Sequence, residues 1–321
     1  MKPLAFIFLV STFALAQTPA PQTTNDKQAV LWQKLEATIH NVDQNLDGVL
    51  GVAILDLTDG HTLFVHPDEV FPQASSIKIA VLADLYRQSQ QGGQGKAKLS
   101  DLYTVRQSDL VPDSFIMNGL TPGVTRVTNR DLATMMIAVS DNSAANVLID
   151  RVGMDNVNAL MDSLGLAHTR LQRKMMDLKA ASEGRENLST PREMMTLLAD
   201  IYRGKVLNKE MTDDFFQMLG TPKCGSFLRN ALPDDVRSAN KPGELEGVRN
   251  DSGVVFVSHR TFVLCIMTTY LRREKDGEGA IFKITSAAYE MFDRLGRAAG
   301  YGRVISPANS SRSAGTADTP K

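Results

Sequence analysis

Three short stretches combine residue types that can carry out acyl chemistry. In "FPQASSIKIAVLADLY", which begins at Phe71, Ser75 and Lys78 stand at i and i+3 at the head of an apolar run that reads as a buried helix. That spacing puts both on one helix face. A serine at a helix start has free backbone N–H groups and the positive end of the dipole beside it, which suits a nucleophile whose product is an oxyanion. Lysine is rarely buried without a partner, and burial lowers its pKa, so Lys78 is a candidate base for the Ser75 hydroxyl. Taken alone the pair is a weak signal, because Ser-x-x-Lys arises by chance about once in a chain of this length.

The second stretch is Ser140-Asp141-Asn142, at a junction between two helical segments in "AVSDNSAANVLID". All three residue types are good N-caps, but a cap accounts for one of them and leaves a hydroxyl and a carboxamide free to face a cleft. The third is Lys241-Pro242-Gly243, just ahead of a β-rich C-terminal part. A lysine on an edge strand can hold a substrate carboxylate and lower the pKa of a nearby hydroxyl, and Gly243 would let a ligand approach the backbone. Read alone, the tripeptide also fits a plain loop.

The elements that must position these residues follow from periodicity and punctuation. Residues Asp26 to His40 read as an amphipathic helix, and "VLGVAILDL" and "HTLFVHP" as two strands joined by "TDG". Helices follow from Ser75, from Thr128 as an N-cap, through "SAANVLIDRVG" and "MDNVNALMDSLG", and from "STPREMMTLLADIYRG" with Pro191 at its start and Gly204 beyond its end. "GVVFVSH" and "TFVLCIMTTYL" form a hairpin around "SHR", and "GAIFKITSAAYEMFDRLGR" is a closing helix. Strands at both ends and helices between them predict an α/β (α+β) fold, an antiparallel sheet flanked by helices with an inserted all-helical domain. The sheet domain would comprise residues 24–68 and 236–302, the helical domain 69–235, and the Ser/Ala/Pro-rich stretch 303–321 a disordered tail. A site would lie at the junction of the two domains.

Composition narrows the function classes. The 321 residues are 43% hydrophobic and 22% charged with a formal net charge of −1, so no basic field points to nucleic acid. "MKPLAFIFLVSTFALAQ" has Lys2, an apolar run from Leu4 to about Ala14 and a small-x-small site before Gln17, the pattern of a secretory signal peptide over residues 1–16. The run is too short for a permanent membrane span, and no cysteine follows it to carry a lipid. The expected protein is periplasmic or secreted, without a stable membrane anchor, and monomeric. Export would permit a bond between the two cysteines, Cys224 and Cys265, although the strand-like run around Cys265 also suits a packed thiol. The five histidines show no metal-ligand spacing, and "DQNLDG" has Ile54 where a calcium loop needs glutamate, so neither metal nor cofactor is expected. No G-x-S-x-G elbow and no phosphate-binding glycine loop occurs.

Ser-x-x-Lys, then Ser-Asp-Asn, then Lys-x-Gly is the order found in class A β-lactamases and penicillin-binding proteins. The chain resembles the class A β-lactamase family along nearly all of its mature length, within a branch of β-lactamase-related serine hydrolases. The resemblance implies Ser75 as nucleophile, Lys78 as its base or relay, and Ser140 and Lys241 as further catalytic groups. It implies Asn142, Gly243, Glu244 and Arg249 as substrate contacts, and a β-lactam or peptidoglycan-like amide as the small-molecule substrate. Two departures stand out. The family's Ω-shaped loop carries Arg-x-Glu-x-x-Leu-Asn, whose glutamate activates the deacylating water. Here "RKMMDLK" keeps Arg173 and Leu178 but puts Met175 at the glutamate and Lys179 at the asparagine. A thioether cannot take a proton from water. Asp177, Glu183 and Glu186 lie nearby without motif support, and Lys179 would serve only with a lowered pKa. In the Lys-x-Gly box, Pro242 removes a hydroxyl that would bind a substrate carboxylate. Arg249 would replace it by bidentate pairing, or would instead pair with Asp251 across the hairpin. The expected activity is a serine hydrolase opening a β-lactam or related amide or ester, with slow deacylation. The alternatives are a homologue that acylates without turnover, or a DD-peptidase or esterase.

Overall fold

The computed structural model describes residues 24–93, 96–223 and 225–305. The signal-like segment 1–16, most of the tail and Cys224 lie outside the described residues. The sheet is built from β1 (Val49–Asp56), β2 (Thr62–Val65), β3 (Arg237–Leu245), β4 (Val248–Phe256) and β5 (Phe262–Thr269), in the order β2-β1-β5-β4-β3 with every pair antiparallel. β1 and β5 pair from Val49↔Thr269 to Asp56↔Phe262, so residues from the two ends of the chain share the sheet centre.

Both faces of the sheet are covered. That is why β1 is apolar at almost every position instead of alternating. Leu50, Val52 and Ile54 face one core, and Ala53 and Leu55 the other. The first core lies under α1 (Thr24–Asn45) and α10 (Glu274–Arg297), where Phe262 stacks on Phe292 at 4.0 Å and Trp32 meets Phe292 edge-on. The second core is larger and centres on α2 (Lys78–Gln91), with Lys78 to Tyr86 entirely buried. Around it stand α3 (Asn129–Ala138), α4 (Asn142–Val152), α5 (Met154–Ser163), α6 (Leu178–Ser182), α7 (Pro191–Tyr202) and α8 (Lys209–Leu219). A one-turn helix, α9 (Phe227–Asn230), precedes β3.

Local signals placed several boundaries. Thr128 caps α3 by accepting from the Asp131 amide while the Asp131 carboxylate accepts from the Thr128 amide. Pro191 opens α7, and "SHR" turns β4 into β5. Other elements differ from the sequence reading. α1 runs on to Asn45 and absorbs the start of "DQNLDG". Ser75 lies in a 3₁₀ turn, Ala74–Ile77, with Lys78 as the first residue of α2. α6, α8 and α9 are absent from the sequence reading, although Asn208 caps α8 and Gly220 follows its end. Lys241-Pro242-Gly243 lies within β3, the outer strand, where a proline costs no ladder bond on the open side. Cys265 is a buried free thiol on β5, pushed up to about 12 by burial. Among the described residues no helix is long and apolar enough to cross a membrane, and no cluster of three His, Cys, Asp or Glu side chains could hold a metal.

Candidate active site

The turn carrying Ser75, the α3–α4 junction, the outer strand β3 and the loop 173–187 enclose one cavity of about 820 Å³. Ser75, Ser140, Asn142, Met175, Lys223, Lys241 and Glu244 line it. The backbone is strained here: of seven non-glycine residues with positive φ among the described residues, Ala74, Asp113, Ser140 and Met176 line this cavity. A left-handed non-glycine conformation costs on the order of 1–2 kcal/mol, and such costs gather where side chains must be aimed.

Ser140 shows what the strain achieves. With φ at 58°, both its carbonyl and its hydroxyl face Lys78. The Lys78 amine lies within hydrogen-bond distance of Ser75 Oγ at 3.1 Å, Ser140 O at 2.7 Å, Ser140 Oγ at 3.0 Å and Asn142 Oδ1 at 2.9 Å. Ser140 Oγ in turn donates to Ser75 Oγ at 2.9 Å, and Lys241 Nζ donates to Ser140 Oγ at 3.1 Å. Asp141 is turned away as the N-cap of α4, and its other carboxylate oxygen accepts from the amides of Ile116 and Met117.

Three lysine amines are withdrawn from water here. Burial, then the charge of Lys241, pushes Lys78 well below the ordinary lysine range, while Asp141 opposes the shift. Burial brings Lys241 to about 7 and Lys223 to about 8, with Asp251 opposing in both cases. Asp251 is itself fully buried, holding Asn240 Nδ2 at 2.8 Å and the Leu228 amide at 2.9 Å, and burial raises its carboxyl. Lys223 was not singled out from sequence, where it is one lysine in a loop. Its amine donates to the carbonyls of Leu219 and Thr221, which leaves one N–H for the cavity it lines.

Two residues expected at the substrate are placed otherwise. A Cβ on Gly243 would fall 2.5 Å from the Gln73 carbonyl and 2.7 Å from Ser76 Oγ, so the missing side chain lets β3 press against the turn that carries Ser75. The close approach is the protein's own. Arg249 is outside the cavity lining. It lies 3.3 Å from Glu278 and 4.0 Å from Glu244, donates to the carbonyls of Leu245 and Val248, and is not paired with Asp251. Glu244 lines the cavity with an exposed side chain.

The loop around Met175 is pinned from both ends. Asn146 accepts from the Met175 amide at 2.7 Å and donates to its carbonyl at 3.0 Å. Arg173 forms a bidentate pair with Glu186, and Asn187 Oδ1 accepts from the amides of Gln172 and Arg173. Glu186 is thereby committed to structure. Asp177 caps α6 and Glu183 pairs with Arg185. Lys179 is exposed on α6 and does not line the cavity.

Fold and site together define a serine hydrolase of the class A β-lactamase type. A model of the beta-lactamase enzyme family matches residues 33–292, and the chain belongs to that family. It is 27% identical over 295 residues to beta-lactamase ROB-1 of Haemophilus influenzae, covering 89% of this chain and 92% of the relative. Beta-lactamase SME-1 of Serratia marcescens is also 27% identical, over 299 residues and 95% of its length. Among solved structures, a beta-lactamase from Sphaerobacter thermophilus superposes with a TM-score of 0.73 at 30% identity, over 81% of this chain and 97% of that one. PBP-A superposes at 0.74 with 24% identity, over 82% and 97%, a likeness of fold alone.

Proposed function

We propose that the protein is an exported hydrolase that opens a β-lactam, or a related amide or ester, through an acyl-enzyme on Ser75. The observation that carries this is the convergence on Ser75 Oγ of Lys78 Nζ and Ser140 Oγ, with Lys241 behind Ser140. Lys78, whose amine burial pushes toward its neutral form, takes the Ser75 proton as Oγ attacks the carbonyl carbon. Ser75 and Glu244, the latter on the outer strand β3, both line the cavity, and this reading gives their backbone N–H groups the developing oxyanion. Ser140 passes a proton to the leaving nitrogen as the C–N bond breaks, and is reprotonated from the lysine amines beside it. Lys241 and Lys223 bind an anionic group on the substrate, which assigns to Lys223 the part expected of Arg249. The signal-like segment at residues 1–16 supports export.

Met175 favours a second stage far slower than the first. Its buried thioether lies where the family motif puts the water-activating glutamate, and the nearby carboxylates are committed elsewhere. The acyl-enzyme then accumulates, which is the behaviour of a penicillin-reactive protein. Intact-protein mass spectrometry after mixing with penicillin G tests the reading. A persistent adduct, lost in Ser75→Ala, is the expected result. No adduct and no hydrolysis would refute the reaction, and an adduct retained in Ser75→Ala would refute the nucleophile.

A further inference from the structure

We propose that Glu244 determines specificity, its carboxylate selecting zwitterionic substrates that carry a cationic group beside the anionic one. The proposal rests on the acyl-enzyme reading above and adds the substrate class. Glu244 lines the cavity that holds Ser75, and its side chain is 56% exposed. An exposed glutamate is ordinary on a protein surface. Three observations set this one apart.

The first is its place. Gly243 presses onto the turn that carries Ser75, where a Cβ would fall 3.0 Å from the Ser76 amide nitrogen. Ser76 Oγ also donates to the Lys241 carbonyl at 3.1 Å. Glu244 follows directly in β3, so its backbone is fixed against the same turn. The second is its partner. Glu244 faces Arg249 across the β3–β4 pairing, but the guanidinium lies 4.0 Å from Glu244 and 3.3 Å from Glu278, and it donates to two backbone carbonyls. One cation serves two carboxylates, which leaves these three groups with a net negative charge. The Arg249 side chain is only 15% exposed and does not line the cavity, so the carboxylate rather than the guanidinium meets a ligand.

The third is the neighbouring stretch of strand. Pro242 supplies no hydroxyl to bind an anion, and the Lys241 amine donates to Ser140 Oγ and to the Pro242 carbonyl. Burial drives Lys241 toward its neutral form, and Glu244 is among the charges that oppose this, behind Asp251. An anion held at Lys241 therefore lies within the field of Glu244. A ligand with negative charge alone meets repulsion there. A ligand that also carries a cation beside its anion turns the same field into attraction.

The test compares acylation by cephaloridine and by cephalothin. They share nucleus, carboxylate and thienylacetyl group, and differ in one substituent beside the carboxylate: a pyridinium cation in the first, a neutral acetoxy group in the second. Ring opening is followed by stopped-flow absorbance and folding by thermal melting. The two substituents also alter ring reactivity, so the readout is the change in the cephaloridine-to-cephalothin rate ratio between proteins. Glu244→Gln should lower the ratio about 2–5-fold, the range of an exposed ion pair. Glu244→Lys should lower it further. The difference between wild type and Glu244→Gln should shrink in about 1 M salt, which screens exposed charges. Glu246→Gln, exposed nearby but outside the cavity lining, should leave the ratio as it is in wild type. A ratio unchanged in the folded Glu244→Gln and Glu244→Lys variants overturns the proposal, and so does a ratio lowered equally by Glu246→Gln. If neither compound acylates wild type, the reaction proposed above falls, and the role of Glu244 is decided by calorimetry of both compounds binding to wild type and to Glu244→Gln. Cephaloridine binding weakened severalfold more than cephalothin binding upholds that role. Equal changes, or no binding of either compound, overturn it.

Discussion

The Lys78 amine has four oxygen neighbours and no ion-pair partner among the described residues, so its neighbours orient it more than they hold its charge. Lys241 and Lys223 keep a buried carboxylate, Asp251, close enough to oppose their loss of charge. The three amines are thus suited to opposite tasks. In the proposed reaction Lys78 acts when neutral, so acylation gains as pH rises through its lowered pKa. The anion binding proposed for Lys241 and Lys223 needs them as cations, so it is lost as pH rises through about 7 and about 8. The acylation rate with penicillin G should therefore fall across that interval, and Lys223→Gln should remove the later part of the fall. A penicillin whose carboxylate is esterified should show no falling limb. Stopped-flow acylation from pH 5 to 10 measures both, and equal pH profiles for acid and ester would contradict the assignment.

At the scale of elements, short irregular segments do the aiming. The 3₁₀ turn places Ser75 three positions ahead of Lys78, where the buried run Lys78–Tyr86 begins, and the left-handed turn at Ser140 points two oxygens at one amine. The loop from Arg173 to Asn187 presents Met175 on a backbone held by Asn146. That preserved geometry makes Met175→Glu informative. It should shorten the adduct lifetime by roughly 10²–10⁴-fold, the usual worth of a general base. Because Lys179 is exposed on α6 and outside the cavity lining, no second substitution there should be needed. Adduct decay followed by mass spectrometry gives the answer. An unchanged lifetime, or a wild type that already turns over hundreds of times per second, would show that another group activates the water.

Across the whole molecule, the site depends on one core and stability draws on two. The helices α1 and α10 pack on the sheet face opposite the cavity, and Phe292 joins Trp32 and Phe262 there in a fully buried contact. Phe292→Ala should cost about 3–5 kcal/mol of stability, the usual cost of deleting a core aromatic ring. The acylation rate of the protein that remains folded should stay near wild type, since none of the cavity lining lies in that core. Urea unfolding with parallel rate measurements tests this. A large loss of rate at intact stability would mean that the two cores are coupled through the sheet.

Local signals carried much of this protein. The capping pair at Thr128 and Asp131, the proline that opens α7 and the hairpin between β4 and β5 each depend on residues close in sequence, and so could be read there. The three polar boxes could be read as well, because their residue types and order are rare together even though each box is common. Partners distant in sequence decided the rest. Arg249 turns to Glu278, 29 positions away, and Lys223 takes the place beside Lys241, since which cation reaches a cavity depends on how loops pack and not on the residue alone. Gly243 serves contact between a strand and a turn that meet only in the folded chain. Glu186 lies near the missing base in the sequence, but its bidentate pair with Arg173 spends it on shape. Composition and spacing specified which chemistry the chain carries, and tertiary packing decided which charges remain free to perform it, because desolvation and pairing are properties of surroundings that sequence brings together only on folding.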